Sequence, residues 1–284
     1  VQWQPTNPFT ISGSLRLDHD ENYGTELMPQ LSMSYQEENW ILRGAAGRSV
    51  RAPSYTERFI STNLQGPLTG GRNLGNPWLE AERAWSGELG SDFFVSPNIR
   101  LSATGFIRKS SNLIDYVLTN SSQIQNDDNL QANTDYLYSQ NINEVTSAGL
   151  ETELSASRNL GAGWQLNSTL GYTFTDFFGN EDVAGKYLST YARHLVNGSL
   201  RMNYKDFGAM IAGVWKQRDS DRSSAIGAFK SSSYSVWNVK LNYQLGSNFA
   251  LSMHVNNVFD TDYQDVLGAR MPGRWTYGTL QWQL

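Results

Sequence analysis

The chain has 284 residues, of which 39% are apolar and 17% are charged, and its formal net charge is −5. It contains no cysteine, which excludes disulfide scaffolds and thiolate metal sites, and the acidic balance lacks the basic footprint of a nucleic-acid binder. No run approaches the roughly 18 apolar residues of a transmembrane helix, so a helical membrane protein is excluded.

Apolar and polar residues alternate with a period of two along most of the chain, which predicts β-strands. In the first predicted strand, Leu15 and Leu17 fall on one face and Arg16 on the other. The same pattern predicts about twelve strands without a domain boundary between them. They are expected at residues 9–18, 26–36, 39–51, 83–94, 98–118, 135–157, 163–174, 188–204, 206–217, 231–245, 248–257 and 274–284.

Short turns and long loops alternate between these strands. Tight turns are expected at residues 36–39, 95–98, 158–162, 205–206 and 246–248, and long loops near residues 52–82, 119–134, 175–187, 218–230 and 258–273. Short turns on one rim and long loops on the other are typical of outer-membrane barrels. A soluble β-sandwich gives no reason for this sorting.

Charged residues recur on the polar face of the predicted strands. In a barrel surrounded by lipid the apolar face points outward and the polar face lines the lumen. The predicted fold is therefore an all-β, antiparallel, up-and-down transmembrane β-barrel. The residues expected to face the lumen are Arg16, Arg43, Glu88, Arg100, Glu151, Glu153, Arg201, Lys240 and His254.

Several short motifs appear in a fixed order. Arg51–Ser54 reads RAPS, Gly75–Glu80 reads GNPWLE, and Val255–Tyr263 reads VNNVFDTDY before Met271–Arg274, MPGR. With Asn112–Tyr116 and Gly149–Glu153, this series resembles the TonB-dependent receptors of Gram-negative outer membranes.

This resemblance implies a barrel of about 22 strands around a plug domain. Residues 1–284 are then expected to be the C-terminal portion of the barrel, with the plug and the N-terminal strands absent from the chain. The implied function is TonB-energised uptake of a scarce metal chelate, either a ferric siderophore or cobalamin. The implied partners are the chelate, outer-membrane lipid, the plug and, through an absent N-terminal region, the TonB complex.

The ligand is expected to meet aromatic and cationic side chains of the long loops. The candidates are Tyr55, Arg58, Arg72, Tyr187, Tyr191, Arg193, Arg218, Arg222 and Arg270. Haem receptors of the resembling family place a histidine between the two loop motifs, and residues 53–75 contain none, so haem is disfavoured.

No hydrolase elbow, zinc-binding helix or phosphate loop is present, so no enzyme, cofactor or resident metal is expected. Asp260 and Asp262 are interpreted as turn-capping residues, in preference to a cation site. The main alternative is a complete small barrel, such as an autotransporter translocator or an outer-membrane lipase. A soluble adhesive β-protein is a third possibility, which the charged strand faces disfavour.

Overall fold

The computed structural model describes residues 2–6, 8–21, 23–62, 65–125, 129–179, 185–219, 232–266 and 269–282. These residues form sixteen strands, one short helix, α1 (Tyr55–Phe59), and 3₁₀ turns at Ser121–Gln123 and Leu188–Thr190. The strands are β1 Gln2–Thr6, β2 Phe9–Asp20, β3 Gly24–Gln36, β4 Trp40–Arg51, β5 Asn73–Leu74, β6 Glu82–Ser96, β7 Ile99–Asn120, β8 Asp135–Gly161, β9 Trp164–Gly179, β10 His194–Tyr204, β11 Phe207–Gln217, β12 Ser233–Leu245, β13 Phe249–Asn256, β14 Gln264–Val266, β15 Ala269–Arg270 and β16 Trp275–Trp282.

The main sheet is an antiparallel meander. Thirteen strands follow one another in the order β1-β2-β3-β4-β6-β7-β8-β9-β10-β11-β12-β13-β16, while β5 adds in parallel to β8 and β14 pairs with β15. Within the described residues, β1 and β16 are the two ends of this order and do not pair with each other. The predicted up-and-down topology is confirmed.

The connections sort to two rims as expected. One rim has turns of a few residues, as between Tyr204 and Phe207, and the other carries the long connections, such as the one from Arg51 to Glu82. One connection on the long-loop rim is short, because β2 ends at Asp20 and β3 begins at Gly24.

The apolar face of the sheet is the exposed one. Leu15 and Leu17 are 67% and 69% exposed, and Leu170, Leu251 and Leu280 on distant strands are also exposed. A water-soluble protein would bury such a face, whereas in a bilayer it contacts lipid. No helix of the described residues is both long enough and apolar enough to span a membrane.

Buried apolar residues lie instead mostly at the outer ends of the strands and under the long loops. One cluster joins Leu68, Leu74 and Tyr136, and a second joins Ile142, Val145 and Leu188. β7 has 22 residues and β8 has 27. A transmembrane strand needs only about 9–11 residues, so the outer parts of both strands project beyond the bilayer and carry this core.

Four strands lie outside the twelve that the sequence pattern predicts: β1, β5, β14 and β15. The prediction that a strand begins at residue 188 is wrong, since β10 begins at His194. Leu188–Thr190 forms a 3₁₀ turn because the buried carboxylate of Asp115 accepts hydrogen bonds from the backbone N–H groups of Tyr187 and Leu188.

Candidate functional site

The polar face of the sheet collects the predicted lumen residues. Arg43 on β4 is opposite Gly90 on β6, which is in turn opposite Thr104 on β7, and Thr104 is opposite Glu151 on β8. In the same way, Arg201 on β10 is opposite Met210 on β11. Met210 is opposite Lys240 on β12, and Lys240 is opposite His254 on β13. The register places all nine on this one face: Arg16, Arg43, Glu88, Arg100, Glu151, Glu153, Arg201, Lys240 and His254.

Opposite charges pair across four strands of this face. Asp92 on β6 contacts Arg43 on β4 and lies 3.4 Å from Arg100 on β7, and Arg100 reaches Glu153 on β8 at 2.5 Å. Arg43 also donates to Thr104. These pairs give the polar face a fixed charge pattern rather than a set of free side chains.

Above the sheet lies a layer that we call the outer cap. It comprises the described parts of the connections between β4 and β6, β7 and β8, β9 and β10, β11 and β12, and β13 and β16, with the outer parts of β7 and β8. Four clusters of hydrogen bonds hold it together.

The first cluster is centred on Arg51, at the outer end of β4. Its guanidinium donates to Glu82 at 2.7 and 2.8 Å and to Glu57 at 2.9 and 3.1 Å. Glu57 and Ser54 form a capping box at the start of α1, and Glu82 accepts from the Ile114 N–H. Burial raises the pKa of Glu57, but the hydrogen bonds from Arg51 and Ser54 outweigh it and the pKa lies below its usual value.

The second cluster joins the two halves of the connection between β4 and β6. Arg58 donates to the Pro77 carbonyl at 2.9 Å, and the Gly75 N–H donates to Ile60. A Cβ atom on Gly75 would lie 2.6 Å from the backbone of Arg58, so glycine is required by this close approach. The GNP motif therefore serves loop packing.

The third cluster surrounds Asp115, in the part of β7 that projects beyond the bilayer. Its buried carboxylate accepts from the N–H groups of Tyr116, Tyr187 and Leu188 at 2.7, 2.7 and 2.9 Å. Burial raises the pKa of Asp115 to about 6, more than these donors and the nearby Lys186 lower it. Asp115 thus fixes the connection between β9 and β10 onto β7.

The fourth cluster is centred on Arg218, whose side chain is 1% exposed. It donates to the carbonyls of Thr190, Gln264 and Asp265 and lies over the ring of Tyr234. Asp265 also accepts from Lys216 at 2.7 Å and from Tyr234 at 2.8 Å. Arg218 therefore joins three connections of the outer cap.

The closing motif forms a capped turn. The Asn257 side chain accepts from the Thr261 N–H and donates to its carbonyl, and Asp260 accepts from the Arg274 N–H at 2.6 Å. Asp262 is paired with Arg270. Among the described residues, no group of three or more acidic or histidine side chains is placed to hold a metal ion.

The structure separates the predicted ligand-contacting residues into two groups. Tyr55, Arg72, Tyr191 and Arg270 are exposed on the outer cap. Arg58 and Arg218 have hydrogen bonds to loop carbonyls. Arg222 lies outside the described residues.

Tyr187 and Arg193 are also exposed, but each contacts a neighbouring side chain. The Tyr187 ring packs edge-on against Tyr116 at 5.7 Å, and Arg193 pairs with Asp176 at 3.0 Å, close to Tyr191. Trp78 and Phe259, which are not among the predicted contacts, are also exposed on the outer cap. Their large apolar side chains within polar loops are the signal that could have identified them.

An antiparallel sheet with an exposed apolar face, a charged inner face and a fastened cap on one rim defines an outer-membrane receptor barrel. Residues 1–258 match the family model described as TonB dependent receptor-like, beta-barrel, and the chain belongs to that family.

Individual proteins resemble it more distantly. The chain is 25% identical over 266 residues to the iron-regulated outer membrane virulence protein of Vibrio cholerae serotype O1, which covers 92% of this chain and 40% of that protein. It is 22% identical over 287 residues to the vitamin B12 transporter BtuB of the same species, which covers 100% and 41%. The chain therefore spans about two fifths of the length of these relatives.

A solved structure shares the fold. The siderophore receptor PirA from Pseudomonas aeruginosa superposes with a TM-score of 0.66 at 18% identity, over 100% of this chain and 47% of that one. The family places the chain in the Gram-negative outer membrane and consists of receptors and transporters, not enzymes. Family membership also decides against an autotransporter translocator and an outer-membrane lipase.

Proposed function

We propose that the full-length protein carrying this chain takes up a scarce metal chelate, either a ferric siderophore or cobalamin, with energy supplied through the TonB complex. Residues 1–284 form the C-terminal portion of a barrel of about 22 strands, whose plug and N-terminal strands lie outside this chain. Relatives named for vitamin B12 transport and siderophore reception support these two ligand classes.

One observation supports this function above the others: buried hydrogen bonds hold the outer cap together, and aromatic and cationic side chains remain exposed on it. Tyr55 and Tyr191 offer flat contact area at low conformational cost, and Arg72 and Arg270 offer planar, bidentate donors. Metal chelates with carboxylate or catecholate oxygens are bound well by such a combination.

The remaining predicted contacts have a supporting role in this proposal. Arg58 and Arg218 position the loops, and the ion pair between Arg193 and Asp176 joins the connection between β9 and β10 to β9. The charged polar face of the sheet lines the lumen and contacts the plug. TonB contacts the full-length protein through a region outside this chain.

The test is ligand titration of the full-length receptor with a ferric tris-catecholate, a ferric hydroxamate and cyanocobalamin. Arg72→Ala and Arg270→Ala combined should weaken ligand binding by about 3 kcal/mol, because each charge-assisted contact is worth roughly 1.5 kcal/mol or more. Arg218 is left intact, since its loss would disturb three connections at once.

Lys205→Ala, in a turn on the opposite rim, is the matched control and should change affinity by less than about 0.5 kcal/mol. Failure of all three chelates to bind the wild-type receptor would refute the ligand class. Unchanged affinity of the double variant would refute the assignment of these arginines.

A further inference from the structure

The ladder between β3 and β4 stops while both strands continue. Its last pair toward the long-loop rim is Gln30 opposite Gly47. Beyond this pair β3 still follows β2 as far as Gly24, and β4 still follows β6 as far as Arg51. In every other ladder of the main sheet, as far as the described residues show, at least one strand ends where the pairing ends. We call the unpaired stretch, residues 24–29 of β3 and 48–51 of β4, the split.

A proline lies where the split begins. Pro29 is next to Gln30 on the unpaired side and has no N–H, so it cannot donate to a continued ladder. Two residues further along β3, the Leu27 carbonyl accepts a hydrogen bond from the Arg48 guanidinium at 2.7 Å. A side chain of β4 therefore takes the place of a backbone donor.

Ion pairs close the split. Glu26 of β3 is 8% exposed and accepts from Arg48 of β4 and Arg83 of β6 at 2.6 Å each. One carboxylate thus holds β3 to the two strands on the other side of the split. Side-chain pairs can separate without unfolding either strand, since β3 remains paired with β2 and β4 with β6.

The split lies at the depth of the outer half of the bilayer. Gln30 is six residues from the end of β3 at Gln36. At about 3.3 Å per residue and a tilt near 45°, the split begins about 14 Å above the short-turn rim, within an apolar band about 25 Å tall. Strand edges exposed to hydrocarbon leave backbone polar groups unsatisfied. The edges of the split therefore favour a molecule with a polar group to pair with them.

A cavity of about 800 Å³ adjoins the split and is lined from both faces of the sheet. Leu31 and Ile107 of the apolar face contribute to it, as do Ser49 and Ser86 of the polar face. The cavity offers hydroxyl groups on the lumen side and hydrocarbon on the lipid side. A molecule that fits both sides has a polar head and an apolar tail.

We propose that the split is a lateral gate through which a single-chain amphiphile passes between the outer leaflet and the lumen. The polar head contacts Ser49 and Ser86, and the hydrocarbon tail lies along Leu31 and Ile107. Glu26 holds the gate shut between passages. The inference rests on the location of the chain in the outer membrane and is independent of the proposed uptake function.

The experiment places the full-length receptor in phosphatidylethanolamine vesicles with a fatty acid that carries a diazirine close to its carboxyl group. After illumination, mass spectrometry locates the labelled residues. Label is expected on the lumen-facing Ser49 and Ser86 as well as on the outward Leu31. A two-chain phosphatidylcholine with the same diazirine should label outward residues alone. Fatty-acid label confined to outward residues would overturn the proposal.

A disulfide across the split tests the route, since residues 1–284 contain no cysteine. Oxidation of Met28→Cys/Ser49→Cys should lower the label on Ser86 at least tenfold, and a reducing agent should restore it. The matched control, Ser32→Cys/Ala45→Cys, joins two residues that are already opposite each other in the ladder and should not change the label. Unchanged label in the oxidised split variant would refute entry through the split. Failure of this pair to cross-link, when the control pair does so, would show strands fixed apart and no gate.

Glu26→Gln tests what holds the gate shut. The label on Ser86 should rise about tenfold, because loss of charge-assisted contacts favours the open form by at least that factor. Glu38→Gln is the same substitution in an exposed turn at the other rim and should have no effect. Equal label in the Glu26→Gln variant and the wild type would contradict the proposed closure by Glu26.

Discussion

The sheet and the outer cap differ in where they keep their polar groups. In the sheet, large apolar side chains such as Leu15 are exposed, and charges such as Arg43 and Asp92 pair along the opposite face. In the outer cap, Asp115 and Arg218 are buried and hydrogen-bonded to loop backbone. Lipid and ladder hydrogen bonds stabilise the first region, and buried charge-assisted hydrogen bonds stabilise the second.

The largest effect is expected in the outer cap, from Arg218→Ala. The change leaves three loop carbonyls without their shared donor, and because each unsatisfied buried acceptor costs about 1 to 3 kcal/mol, a loss of about 3 kcal/mol of local stability is expected. Hydrogen exchange at residues 188–190 and 264–266 measures this loss. Arg270→Ala removes an exposed ion pair and should change the free energy of local opening, measured by hydrogen exchange, by less than about 0.5 kcal/mol. Equal effects of the two changes would contradict the distinction between buried and exposed arginines.

In the sheet, the corresponding change is Leu241→Lys. Leu241 lies on the apolar face of β12, and a lysine near the bilayer midplane costs about 2 to 4 kcal/mol. Denaturant unfolding in lipid vesicles gives the free energy. Asn242→Lys, one residue along on the polar face, is the control and should cost less than about 1 kcal/mol. A larger cost for Asn242→Lys would invert the assignment of the two faces.

The stability of the outer cap should depend on pH through Asp115, whereas no such dependence is expected of the sheet. Its pKa of about 6 lies above the ordinary value of 3.8, so the folded state holds the proton more strongly. The stabilisation is complete below about pH 4 and is lost as pH rises through 6, a change on the order of 3 kcal/mol. Exchange at Tyr187 and Leu188, corrected for its intrinsic rate, should show this fall. Asp115→Asn should abolish the dependence, and an unchanged profile would exclude Asp115 as its source.

The smallest effect is expected from Glu57→Gln, with the opposite pH dependence. The pKa of Glu57 is lowered by its contacts with Arg51 and Ser54, so its stabilisation is present above its ordinary pKa of 4.5 and is lost as pH falls. The variant should lose about 1 kcal/mol at neutral pH, seen as faster exchange in α1. Glu38→Gln, in an exposed turn at the other rim, should have no effect.

The two regions also differ in how far the sequence predicts them. Alternation around Leu15 and Arg16 predicts the faces of a strand, and Lys205 with Asp206 marks a turn, because both signals are local. The partners of Arg218 lie 28 and 46 residues away, so no local pattern shows that it is buried.

Some outer-cap features did have a local signal. Ser54-Tyr55-Thr56-Glu57 matches the S-x-x-E pattern of a capping box, a local signal for the start of α1 inside a segment that is expected above only as a long loop. The motif at Asn112–Tyr116 gives no local sign of the role of Asp115. That role depends on backbone donors at residues 187 and 188, which only the fold brings near.

The strands end at different heights on the long-loop rim. Only three residues separate the end of β2 from the start of β3. In contrast, β7 continues eleven residues past Lys109, which is about 25 Å at a strand tilt near 45°. The long-loop rim is therefore low at β2 and β3 and high at β7. In a closed barrel, a solute that approaches along the membrane surface would meet the lower edge at β2 and β3 and the higher edge at β7 and β8.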